Sequence, residues 1–152
     1  MASPAKRSAG QVLLRLGFVV YCLWMLWLLF GQRMGTQVYT QQLADRINLV
    51  PFATMRRYFP LLSGEKGWYL QRHAIINLVG NVVMFIPLSF CIIRIFPRFY
   101  GFFRTFFLCL VLIVAVETVQ YFTMLGTCDI DDLILNMLGV SIGCLLGKIK
   151  RH

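Results

Sequence analysis

The chain has 152 residues, is 59% hydrophobic and carries a formal net charge of +9, with a mean hydropathy of +0.71. That apolar content lies outside the range of soluble globular domains. The positive charge is spread along apolar segments rather than gathered in a basic patch, which speaks against nucleic acid and for anchoring to anionic headgroups.

Four continuously apolar windows follow in chain order: 12–30, 74–93, 102–122 and 130–147. A hydrocarbon core of about 30 Å takes roughly 20 helical residues, so each window predicts one transmembrane helix. Alternating barrel patterning is absent. The expected fold is an all-α membrane protein, a four-transmembrane-helix bundle forming one domain over 1–152. The first window follows Lys6 and Arg7, but "FGQRMGTQ" after it offers no small-residue cleavage site, so it reads as a retained helix. Arg15 in its first turn can reach back to the headgroups.

The long segment between the first two windows combines "INLVPFATMRRYFPLL" with "GWYL". Large apolar side chains, an arginine pair, Trp and Tyr suit a membrane interface, and Pro51 and Pro60 predict short helical pieces. Basic residues fix the expected orientation. Lys6, Arg7, Arg15, Arg94, Arg98, Arg104, Lys148, Lys150 and Arg151 fall on one side, while Arg33, Arg46, Arg56, Arg57, Lys66 and Arg72 are diluted over the long external loop. Both termini are therefore expected in the cytoplasm.

The second window places Asn77 and Asn81 on one face, with His73 one turn outward. Pro87 frees the Val83 carbonyl and predicts a kink. The third window carries Glu117 and Gln120 near its outer end, and the fourth begins Asp129, Asp131, Asp132 with Asn136 on the Asp132 face. All these residues are predicted at one depth, in the outer third of the bilayer. Ionisable groups inside a membrane mark functional sites by default, so Asn77, Asn81, Glu117, Gln120, Asp129, Asp132 and Asn136 form a candidate ligand pocket. Two roles stay open for Asp129 and Asp131, helix cap or ligand contact. The same holds for Asn77 and Asn81, interhelical hydrogen bonding or ligand contact. Gly139, Gly143 and Gly147 form a small-x-x-x-small row that predicts close helix packing.

The five cysteines lack metal or disulfide spacing and read as apolar filler. His73 and His152 are the only histidines, and no hydrolase, zinc-protease or nucleotide motif is present. No cofactor is expected, although a hard divalent cation could be held by Glu117, Asp129, Asp132 and asparagine oxygens. An ion pathway fits poorly, because the inner halves of the helices carry no matching polar row.

The segments "NLVPF", "NLVGNVVMFIPLSF", "ETVQ" and "DIDDLILNMLGVSIG" together resemble the VanZ-like family, in order from Asn48 to Gly143. Carried over by position, the motif residues are Asn48, Pro51, Phe52, Asn77, Gly80, Asn81, Phe85, Pro87, Glu117, Gln120, Asp129, Asp132, Asn136 and Gly139. Pro51, Gly80, Pro87, Gly139 and Gly143 are expected to be structural. Ser89 stands where glycine is common, and "TMLGTC" lacks an arginine that many members carry. The resemblance implies a protein of the bacterial cytoplasmic membrane that lowers sensitivity to teicoplanin. Its expected partners are membrane lipids, a lipid-linked cell-wall precursor or the glycopeptide itself, with no nucleic acid. The alternative is an intramembrane enzyme acting on a lipid or precursor, with Glu117 as general base.

Overall fold

The computed structural model describes residues 4–31, 47–63 and 67–149. Arg33, Arg46, Lys66, Lys150, Arg151 and His152 lie outside the described residues, as do the side chains of Lys6 and Arg7. Helix α1 spans Pro4–Leu29, α2 Ala53–Tyr58, α3 Trp68–Ile95, α4 Phe102–Phe122 and α5 Ile130–Ile149. A two-residue strand β1, Ile47–Asn48, pairs in parallel with β2, Cys128–Asp129. Among the described residues, α1, α3, α4 and α5 are long and apolar enough to cross a membrane. The expected four-helix membrane bundle is the fold observed.

Helix α3 begins at Trp68, a turn and a half before the apolar window. Tyr69, Leu70, Gln71, Arg72 and His73 contain no helix breaker, so the helix runs back through an amphipathic start to Gly67, at φ 100°. Pro4 opens α1 well ahead of its window, where a missing N–H costs nothing. The segment before α3 is broken as its prolines require. Six helical residues in α2 give way to a 3-10 turn at Phe59–Ser63, whose Leu62 carbonyl accepts from Gln71 Nε2 at 2.8 Å. Leu49, Val50, Phe52, Phe59, Trp68 and Tyr69 stay exposed, a surface suited to a membrane interface.

Helices α3 and α5 share the most extensive interface and run parallel. Asn81 meets Asp132, and Val82, Ile86 and Ile93 then face Gly139, Gly143 and Gly147 in turn. The glycine row therefore packs within one chain. Ser89 is fully buried against Gly143, its Oγ 3.3 Å from the Phe85 and Ile86 carbonyls. The core lies between α3, α4 and α5 around Ile92, Ile93, Cys109, Ile113, Val140 and Cys144. All five cysteines are free.

Helix α1 is an outrider. In its spanning segment 6% of the residues are buried, against 39% for α5. Met25 is its one buried side chain among the described residues. The Tyr21 hydroxyl donates to the Met84 carbonyl of α3, one residue from the acceptor that Pro87 leaves without its helical donor.

Candidate functional site: a polar cavity at one end of the bundle

The C-terminal ends of α1 and α4 and the N-terminal ends of α3 and α5 meet at one end of the bundle. The loop from Ile47 to Tyr58 folds over this end, and carboxylates of α5 hold it there. Asp131, fully buried, accepts from the backbone N–H groups of Phe52 at 2.5 Å, Thr54 at 2.8 Å and Met55 at 3.0 Å. These are the first unpaired donors of α2, so Asp131 caps a helix other than its own. Phe52 is drawn into the left-handed region, φ 65°, to present its amide. A non-glycine residue there needs such fixing from its surroundings.

Asp129 is a helix cap and also binds the docked loop. Its Oδ1 accepts from the Asp131 N–H at 2.9 Å, an N-cap bond at the start of α5. Its Oδ2 accepts from Thr54 Oγ1 at 2.5 Å, and Asn48 Nδ2 lies 3.2 and 3.3 Å from the two oxygens. The parallel pairing of Asn48 with Asp129 sets that register. Asp132, one position after Asp131, accepts from Asn81 Nδ2 at 2.6 Å.

Between these elements lies a cavity of about 400 Å³. Asn77, Asp129 and Asp132 form its helical wall, while Asn48, Thr54, Arg57 and Tyr58 form the wall supplied by the loop. Asn77 Oδ1 is buried without a hydrogen-bond partner among the described residues, an acceptor waiting for a donor. Tyr58 packs its ring 6.2 Å from that of His73. Burial, and then the negative charges of Asp132 and Asp129, push the Tyr58 phenol up against the smaller opposing effect of Arg57. Tyr58 is therefore a neutral O–H donor at physiological pH.

Of the seven expected pocket residues, the structure brings Asn77, Asp129 and Asp132 into one wall, with Asn81 bonded directly behind. The other three sit elsewhere. Gln120 is buried and donates from Nε2 to the Leu29 carbonyl at 2.8 Å, closing the end of α1. Asn136 is buried deeper in α5 with Oδ1 unpartnered among the described residues. Glu117 lies outside the cavity lining, on the side of α4 that faces Cys128. Among the described residues no three His, Cys, Asp or Glu side chains gather as a metal site. Gly80 has no neighbour crowding it, so its absent side chain leaves open space rather than permitting a close contact. Thr54, Arg57 and Tyr58 were not foreseen, because only the Asp131 clamp brings α2 over the helix ends.

The Cys128 thiol is pushed up by burial, then by the charges of Glu117 and Asp129. Less thiolate is present at a given pH, so alkylation slows. At pH 8, maleimide labelling of Cys128, followed by peptide mass spectrometry, is expected to run slower than that of an unstructured cysteine peptide. Glu117→Gln should accelerate it. Equal rates in the protein and the peptide would contradict this electrostatic picture.

The architecture is that of a multi-pass α-helical membrane protein with a polar cavity built from helix ends and a docked loop. More narrowly, the chain belongs to the VanZ/LLP1 family, whose model matches residues 18–151, nearly the whole chain. It is a VanZ-like protein, of a family associated with teicoplanin resistance. Neither a curated protein nor a solved structure gives a match to the chain.

Proposed function

We propose that the protein is a binding or remodelling factor of the outer leaflet of a bacterial cytoplasmic membrane, lowering sensitivity to teicoplanin and related lipoglycopeptides. Both termini would face the cytoplasm, as the clustering of Arg94, Arg98, Arg104 and Lys148 away from the cavity favours. The observation that carries the reading is the cavity of about 400 Å³ with Asn77 Oδ1 unpartnered in its wall.

That volume is at the small end of ligand sites. It suits a lipid or precursor headgroup, or one arm of the antibiotic, and a whole glycopeptide is far larger. The wall offers carboxylates and an amide oxygen to hydroxyl or amine donors, and Arg57 and the Tyr58 hydroxyl to an anionic group. A headgroup bearing both kinds of function fits that lining. The enzymatic alternative asks for Glu117 at the reacting centre, and the cavity lining favours binding instead.

Asp132→Asn removes one charge from the wall while keeping a side chain that can still face Asn81. Expression of this variant is expected to reduce the teicoplanin inhibitory concentration of the host to that of an empty-vector strain, with membrane abundance unchanged by immunoblot. Full protection at normal abundance would refute the assignment.

A further inference from the structure

From the end of the bundle opposite the polar cavity, at Phe96 and Phe99, up to Leu26 and Val116, α1, α3 and α4 fail to close on one another. They leave an apolar pocket of about 430 Å³ walled by Cys22 and Met25 of α1, Leu88 and Ile92 of α3, and Leu112 and Val116 of α4. Phe99 and Leu108 on its rim also line an adjoining hollow of about 600 Å³ that carries Arg98 and Arg104. The two arginines converge there. Both are exposed, and Arg104 Nη1 lies 3.5 Å from the Arg98 carbonyl. The described acids, Glu117, Asp129, Asp131 and Asp132, all lie away from this arginine mouth. Glu117 is thirteen helical residues from Arg104, roughly 20 Å away. The local field at this mouth is therefore cationic, and the pocket behind it is lined by apolar side chains.

We propose that this pair of hollows is a binding site for one anionic phospholipid, its phosphate held by Arg98 and Arg104 and one acyl chain seated in the apolar pocket. A bilayer fills an apolar pocket with hydrocarbon whatever the headgroup, so selectivity comes from the arginine mouth. A soluble phosphate would meet the same guanidinium groups, yet only a lipid uses the apolar pocket that adjoins them. The chain also explains the loose seating of α1. In its spanning segment 6% of the residues are buried, and an acyl chain in the gap between α1 and α4 adds packing beside Cys22, Met25 and Leu26, which line it. The site is separate from the polar cavity and stands or falls without it.

The test uses the full chain, purified in detergent, stripped of lipid and titrated with phosphatidylglycerol or phosphatidylcholine under native mass spectrometry. A single adduct with phosphatidylglycerol is expected at about tenfold lower concentration than with phosphatidylcholine, since each basic group near the phosphate adds affinity. Arg98→Gln with Arg104→Gln should abolish that preference. Arg15→Gln with Lys148→Gln, which removes the same charge from outside the hollow, should leave it intact. Leu112→Trp, which fills the pocket, should weaken both lipids. Glycerol phosphate should fail to compete at the concentration where intact lipid saturates. Equal binding of the two lipids by the unsubstituted protein, a preference that survives loss of both arginines, or effective competition by glycerol phosphate would each overturn the proposal.

Discussion

Replacing Asp131 by alanine is expected to release the segment from Asn48 to Tyr58 and abolish the cavity without unfolding the four spanning helices. The fully buried carboxylate takes three backbone N–H donors at 2.5, 2.8 and 3.0 Å. Hydrogen bonds to a charged group contribute about 1.5–3 kcal/mol each, and an orphaned buried donor costs about 1–3 kcal/mol. The loop avoids that cost by undocking, because its amides then meet water or headgroups, so the loss saturates at the docking energy of the segment. Met55 loses its burial and Phe52 is freed from its left-handed conformation. Trypsin cleavage after Arg56 or Arg57 in proteoliposomes or detergent measures this directly. It should be slow in the unsubstituted protein and at least tenfold faster in Asp131→Ala, a shift of about 1.4 kcal/mol or more in the opening equilibrium. Asp131→Asn should go most of the way, since one amide oxygen cannot replace two carboxylate oxygens and its NH₂ opposes the donors. An unchanged cleavage rate in both variants would mean that the clamp does not hold the loop.

Asp131 also marks where sequence reasoning stops. A carboxylate in the first turn of an apolar helix reads as a cap or a ligand for its own helix, because local spacing is all that the chain displays. The donors it serves are more than seventy residues away, and no local pattern encodes that pairing. The spanning helices were legible because an apolar run of membrane length has one economical conformation. The i, i+4 spacing puts Asn77 with Asn81 and Asp132 with Asn136 on shared faces; Asn77 and Asp132 line the cavity and Asn81 bonds to Asp132, while Asn136 lies deeper in α5. Thr54, Arg57 and Tyr58 were hidden because their place depends on the clamp. Gln120 went astray for a related reason. Its spacing from Glu117 puts both on one helical face, but a buried amide seeks whichever carbonyl lies unpaired, and the end of α1 offers Leu29. Gly139 belongs to a small-x-x-x-small row and Gly80, flanked at that spacing by Ile76 and Met84, does not, and the fold brings backbone opposite only the former.

That difference yields the other large effect. A Cβ at Gly139 would overlap the Val82 carbonyl oxygen, and one at Gly143 would overlap the Ile86 carbonyl and Ser89 Oγ. Two of these obstacles are backbone atoms of a neighbouring helix, which cannot rotate aside, so a single methyl must push α3 and α5 apart along their closest approach. Overpacking of this kind costs about 1–3 kcal/mol where neighbours can yield and more where they are backbone. Gly139→Ala and Gly143→Ala are each expected to lower the thermal midpoint in detergent by several degrees, and the pair by more than either, since the same two helices are wedged twice. At Gly80 a Cβ meets open space, so Gly80→Ala should leave the midpoint unchanged or raise it, alanine favouring a helix over glycine by up to about 1 kcal/mol. Intrinsic fluorescence during heating reads all four variants on one scale. A rise in midpoint for Gly139→Ala, or a fall for Gly80→Ala as deep as that for Gly139→Ala, would contradict the packing inferred between α3 and α5. The wedge reaches the site as well: Asn81 and Asp132 bond across the same interface at 2.6 Å, so separating the helices below them opens the helical wall of the cavity.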